Sequence, residues 1–110
     1  MSIKSLIMQT LSPLGVDVCF LERSDDGTFP FIVYNISEMP VCFSDDDEEA
    51  ILYLVTINIF SRPDYNYESL KNQVIDSMKS AGFKKTGVPD AEYLELQDVY
   101  NQPIGFSYFN

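Results

Sequence analysis

Residues 50–62 read AILYLVTINIFSR, and this stretch constrains the fold more than any other. Ile51, Tyr53, Val55, Ile57 and Ile59 fall on one side at a period of two, while Leu52, Leu54, Thr56, Asn58 and Phe60 fall on the other. Successive side chains of a strand point to opposite faces, so this pattern gives one apolar face and one mixed face. The apolar face must be covered. A strand this long and apolar belongs in the centre of a sheet, with helices on the covered side.

The flanking sequence supplies the partners. Residues 2–12 predict a short helix, because Ile3, Leu6, Ile7 and Leu11 recur on one helical face. Ser2 suits the N-cap, Pro13 blocks continuation and Gly15 starts a new direction. VDVCFLE (16–22) alternates as a strand, and RSDDGT (23–28) is a turn with Asp26-Gly27 as its sharpest signal. FPFIVYNIS (29–37) is a second strand, with Pro30 at its start. Met39-Pro40 breaks that pattern, and residues 41–43 are either a short strand or a continuation past a bulge. After the long strand, RPDYN (62–66) turns the chain into the main helix at about 66–81. Leu70, Val74, Met78 and Ala81 repeat on one of its faces. Asp64 or Asn66 can cap its start and Gly82 its end, with Phe83 folding back onto it. Residues 84–92 are polar and rich in turn formers, and 93–100 alternate again. NQP (101–103) suits a hairpin turn, and 104–109 form a final strand. The expected fold is α+β: one domain over 1–110, a mainly antiparallel sheet, and the main helix with the short N-terminal helix packed on it.

Composition narrows the function classes. Seventeen Asp and Glu against seven Lys and Arg give a net charge of −10, which argues against duplex binding through a basic footprint. The chain has no histidine, so the commonest general base and metal ligand are both missing. Cys19 and Cys42 have no metal-ligand spacing and read as buried free thiols. Neither a secretory leader nor a membrane span is recognisable, so the chain reads as cytosolic when made, with no membrane partner.

The most conspicuous charge feature is SDDDEEAILY (44–53), in which Asp45, Asp46, Asp47, Glu48 and Glu49 lead into the long strand. An EF-hand loop starting at Asp45 needs Gly at its sixth position and Glu at its twelfth. Ala50 and Thr56 stand there instead. If extended, Asp45, Asp47 and Glu49 would form a flat row, while a hard cation needs converging oxygens. Two carboxylates about 6 Å apart in water repel by only ~0.7 kcal/mol, so an exposed run is tolerable. It therefore reads as a solvated guard on a strand edge, as a negative surface for a basic partner, or as a wall for passing DNA. A second group, Asp90, Glu92, Glu95 and Asp98, has the residue types of a glycosidase pair but no His or Trp around it. Tyr65, Tyr67, Tyr93, Tyr100 and Tyr108 lack interleaved cations for base stacking, and suit sheet packing or a protein interface. No nucleophile elbow or phosphate loop occurs. The expectation is a protein with no catalytic residue, metal or cofactor.

The order of elements and several local phrases resemble a known family. A short helix precedes GVDVCFLE, a turn leads into FPFIVYNI, and an acidic stretch leads into YLVTINIFSRPDYNYESLKNQVIDSMKSAGF. A C-terminal hairpin closes the unit. Across nearly the whole chain this resembles the small tail-completion, tail-terminator and head–tail joining proteins of long-tailed bacteriophages and prophages. The resemblance implies a non-enzymatic α+β subunit that assembles into a ring, often a hexamer, at the junction of tail tube and head; the strand edges and the acidic loop are the surfaces expected to mediate the assembly. It implies tail-tube and head-connector proteins as partners and DNA only as passing cargo. The implied location is the virion, with the host cytoplasm during assembly. No individual functional residue carries over. The competing reading is a small acidic inhibitor or immunity-type protein that neutralises a basic target one to one.

Overall fold

The computed structural model describes residues 2–21, 29–42, 49–96 and 98–109. The chain begins with α1 (Ile3–Leu11), which passes into a 3-10 turn at Ser12–Leu14. The Ser5 amide donates to Ser2 Oγ at 3.1 Å, so Ser2 caps the helix as its position suggests. Strands β1 (Asp17–Phe20), β2 (Phe31–Cys42) and β3 (Glu49–Ser61) follow. Helix α2 (Tyr67–Ser80) precedes β4 (Lys84–Gly87), β5 (Glu92–Leu94) and β6 (Val99–Phe109).

These strands form one six-stranded sheet in the order β1-β2-β3-β6-β4, with β5 also paired to β6. The long strand is central, as its alternation requires. Val55, Ile57 and Ile59 are buried, and both helices cover that side of the sheet. Ile7 and Leu11 of α1 and Leu70, Val74 and Met78 of α2 meet Ile32, Tyr34, Ile104 and Phe106 there. Each fully buried aliphatic side chain contributes about 1.5–3 kcal/mol relative to exposure. This is the expected α+β architecture with a mainly antiparallel sheet.

Helix α2 ends in a Schellman motif. Gly82, at φ +99°, donates to the Lys79 carbonyl, and the Phe83 amide reaches back to Met78 at 3.0 Å. Phe83 is then buried against the core, as the glycine–aromatic step suggests. At the other end Asn66 occupies the N-cap position, but its side chain makes no capping bond, and Asp64 does not take that position.

Four details depart from the sequence expectations. First, β1 and β2 run parallel, with Asp17 beside Phe31. The chain must therefore return along the length of β1 before β2 begins, which a tight hairpin cannot do. The turn expected at 23–28 lies outside the described residues.

Second, β2 runs without a break through Met39-Pro40 to Cys42, in unbroken register with β3. The Tyr34 carbonyl accepts from Leu21 on the β1 side. Alternate residues of a strand address the same side, so Pro40 also faces that outer edge. Its missing N–H therefore removes nothing from the β2–β3 ladder.

Third, NQP is not a turn but lies inside β6, and the chain instead reverses between Leu94 and Val99, with Asp98 at φ +55°. Gln102, Pro103 and Ile104 lie opposite the gap between β4, which pairs Gly105 to Ser107, and β5, which pairs Val99 to Asn101. The buried Gln102 Nε2 donates to the carbonyls of Pro89 and Pro103, at 2.9 and 2.8 Å. The Pro103 carbonyl thus faces the gap, and so does its ring nitrogen, where no ladder bond is lost.

Fourth, the polar stretch after α2 contains a real edge strand, β4, whose four residues are all exposed. A bulge between Lys85 and Gly87 sets it against Gly105.

Candidate functional site

Two surfaces stand out. One is the far end of the β2–β3 hairpin, and the other is the side of the sheet that carries no helix.

On the hairpin, Cys42 pairs directly with Glu49, so the acidic run joins the two longest antiparallel strands at their far end. Asp45, Asp46, Asp47 and Glu48 themselves lie outside the described residues, whereas Glu49 opens β3. Tyr53 still packs against the core, and β6 pairs with β3 as far as Leu52. At about 3.3 Å per residue, Glu49 sits about 10 Å beyond Leu52. On the partner strand Ser37, Glu38, Met39 and Pro40 are exposed. The molecule measures 53 × 25 × 25 Å, with a radius of gyration of 15.2 Å. A chain this long packed as a compact domain would have a radius of gyration of about 13 Å. The hairpin extends past the rest of the sheet, and Glu49, the first residue of β3, belongs to the most acidic segment of the sequence.

The helix-free side is built from alternate residues of β2, β3 and β6. Its rows run from Phe31–Phe60–Asn101 through Val33–Asn58–Pro103, Asn35–Thr56–Gly105 and Ser37–Leu54–Ser107 to Met39–Leu52–Phe109. None of these side chains is buried, and Met39 and Phe109 are about half exposed. At one end Phe31 stacks on Phe60 with centroids 4.9 Å apart, and the Arg62 guanidinium lies 4.5 Å from the Phe29 ring. Phe29, Phe31, Phe60, Leu94 and Val99 line an apolar hollow of about 240 Å³, below the roughly 300–1,000 Å³ of ligand pockets.

The second acidic group does not converge into a cleft. Asp90, Glu92, Glu95 and Asp98 are all exposed, and none of them lines the hollow beside Phe31 and Phe60. Asp98 accepts a hydrogen bond from the Tyr93 hydroxyl at 2.5 Å, which raises the pKa of that phenol. Among the described residues no three His, Cys, Asp or Glu side chains come together as a metal site, and no helix is long and apolar enough to cross a membrane.

Cys19 is a free thiol and only half buried, less than its apolar surroundings suggest. It pairs with Val33, nine residues along β2 from Cys42. The two cysteines are therefore about 30 Å apart, far beyond disulfide reach. Among the tyrosines, Tyr67, Tyr93 and Tyr100 form a ladder, with centroids of 5.9 Å for Tyr67–Tyr100 and 5.1 Å for Tyr93–Tyr100, so these rings pack on one another. Gln102 escaped sequence reasoning, because its burial depends on the gap between β4 and β5. The helix-free face escaped it too: its rows exist only once the register of three strands is known.

No protein-family model matches the chain, and no curated protein does. Solved structures do share its fold. One is a chain in a structure described as the virion of native gene transfer agent (GTA) particle. It aligns over 98% of this chain and 93% of that one, with a TM-score of 0.61 and 10% sequence identity. At that identity the likeness is one of fold, from end to end.

Proposed function

We propose that this chain is a phage-type virion structural protein. It acts without catalysis, as a subunit of an oligomeric ring at the head–tail junction or tail end, and DNA passes through that ring. The observation that carries the reading is the end-to-end fold likeness to a chain of a virion particle, at nearly matched length. That likeness falls on the same layout of helix, strands, long strand, helix and terminal strands in which the sequence resembles tail-completion and head–tail joining proteins.

Two physical features support it. The β2–β3 hairpin runs about 10 Å past its last pairing with β6, and there it presents backbone edges to neighbours. The charge of −10, with five acids in the stretch that links β2 to β3, suits a wall that repels phosphate and lets DNA slide past. Tail-tube and head-connector proteins are the partners this role requires.

Reversing Asp45, Asp46 and Asp47 to Lys tests the acidic stretch. The fold should be unchanged by circular dichroism, and assembly or infectivity should fall. Particles that carry the change and remain fully infectious would reduce the run to a solubility feature. A tight one-to-one complex with a basic host protein, recovered by pull-down, would favour the inhibitor reading instead.

A further inference from the structure

The helix-free face is uncharged in a chain with strong net charge. Its five rows across β2, β3 and β6 comprise fifteen positions, and none is Asp, Glu, Lys or Arg. The charges begin at its rim, with Asp17 beside Phe31, Lys84 beside Ser107 and Glu92 beside Asn101. Its end rows carry Phe31, Phe60, Met39 and Phe109, and its middle rows are small or polar; depletion of charge inside a charged rim is shared with protein interfaces. With the rim strands the face spans roughly 26 by 24 Å. Its corrugated surface then approaches the ~800 Å² per partner of a standard interface.

A second acid-free surface lies on the opposite side of the molecule. Residues 2–16, which include α1, contain no Asp or Glu, and Lys4 is their one charge. Helix α1 buries Ile7 and Leu11 against the helix-covered side, and turns Lys4, Ser5, Met8 and Gln9 outward. Met8 is a large exposed apolar side chain in that outward row.

We infer that the helix-free face of one copy receives α1 of the next copy, which makes a head-to-tail contact. Two copies at −10 each repel, and at physiological salt the repulsion is screened over about 8 Å. They meet most readily where acids are fewest: the fifteen positions of the face have none, and α1 has none, although Asp76 of α2 lies beside its Thr10. A basic partner would be drawn to the acidic surfaces and would gain nothing electrostatic here. Because the two surfaces lie on opposite sides of the subunit, the contact is heterologous, the kind that closes into a ring when the rotation allows. The inference rests on the ring reading and names its interface.

The test uses Asn35→Glu at the centre of the face and Met8→Glu on α1, both exposed, with circular dichroism to verify folding; the two acids repel wherever the mutated surfaces meet. Sedimentation velocity on the full chain should show wild-type assembly, and at least tenfold weaker association for each variant. Mixing the two variants leaves one intact junction per pair, so one-to-one dimers and nothing larger should form. Variants that assemble like wild type would overturn this interface and leave the ring reading standing. A wild-type chain that stays monomeric at every concentration would overturn self-docking; if it also bound no tail or head protein, the virion reading would fall with it.

Discussion

At the residue scale, two glycines are required for different reasons. A Cβ on Gly105 would lie 2.6 Å from Thr86 Oγ1, in the bulge that joins β4 to β6. Gly105→Ala should destabilise by about 1 kcal/mol in a denaturant titration, because the Thr86 side chain must turn away to admit the methyl. Gly82 has space around it, since its nearest neighbour would be Tyr108 at 3.6 Å, but its φ is +99°. Gly82→Ala should therefore cost about 1 kcal/mol, through the backbone alone. Two phenols carry a pH dependence. Burial, and then the nearby Cys19, raise the pKa of Tyr34. The hydrogen bond to Asp98 comes first for Tyr93. Both hold their protons more tightly when folded. Their contribution to stability is therefore full below the ordinary phenol value of 10.0 and is lost as pH rises through the folded values. Tyr34→Phe should flatten the alkaline decline in stability. Asp98→Asn should bring Tyr93 ionisation, followed by ultraviolet titration, back toward the ordinary value.

At the scale of elements, the strongest periodicities were legible and the turns were not. Residues 50–62 declared a central strand, because Val55, Ile57 and Ile59 must be covered wherever the other strands lie. Helix α2 and its glycine–aromatic stop were legible for the same reason: the repeat and the terminator are local. The prolines misled, because their meaning depends on which side of the strand they face. Pro40 faces away from β3, where no described strand pairs with it, and Pro103 faces a gap between two short strands, so neither ends its strand. No local signal distinguishes those positions from turns. The parallel β1–β2 pair was hidden similarly, because pairing direction is a property of the chain path. The two faces of β3 make a prediction. Ile57→Ala should cost about 2–5 kcal/mol, as expected for a large-to-small change in a packed core. Thr56→Ala, on the helix-free face, should stay within about 0.5 kcal/mol in the isolated subunit. A comparable loss at Thr56 would mean that its face is packed and not open.

At the scale of the molecule, charge and shape carry the account. The acidic run fails as an ion site on spacing alone, and it links the two longest antiparallel strands. Its position at the far end of the longest hairpin was readable only once Cys42 was seen to pair with Glu49. What the sequence could not display was the opposite feature, a broad face with no charge at all, because its members are spread over three strands. The proposed subunit role draws on three features: the extended hairpin, an uncharged face and a helix without acids on the other side. The central claim is that the chain builds a ring in a virion. Negative-stain microscopy of the purified protein, alone and with tail-tube protein, tests this most directly. The account predicts closed rings with a central channel. A species that stays monomeric at high concentration and binds neither tail-tube nor head-connector protein would contradict it.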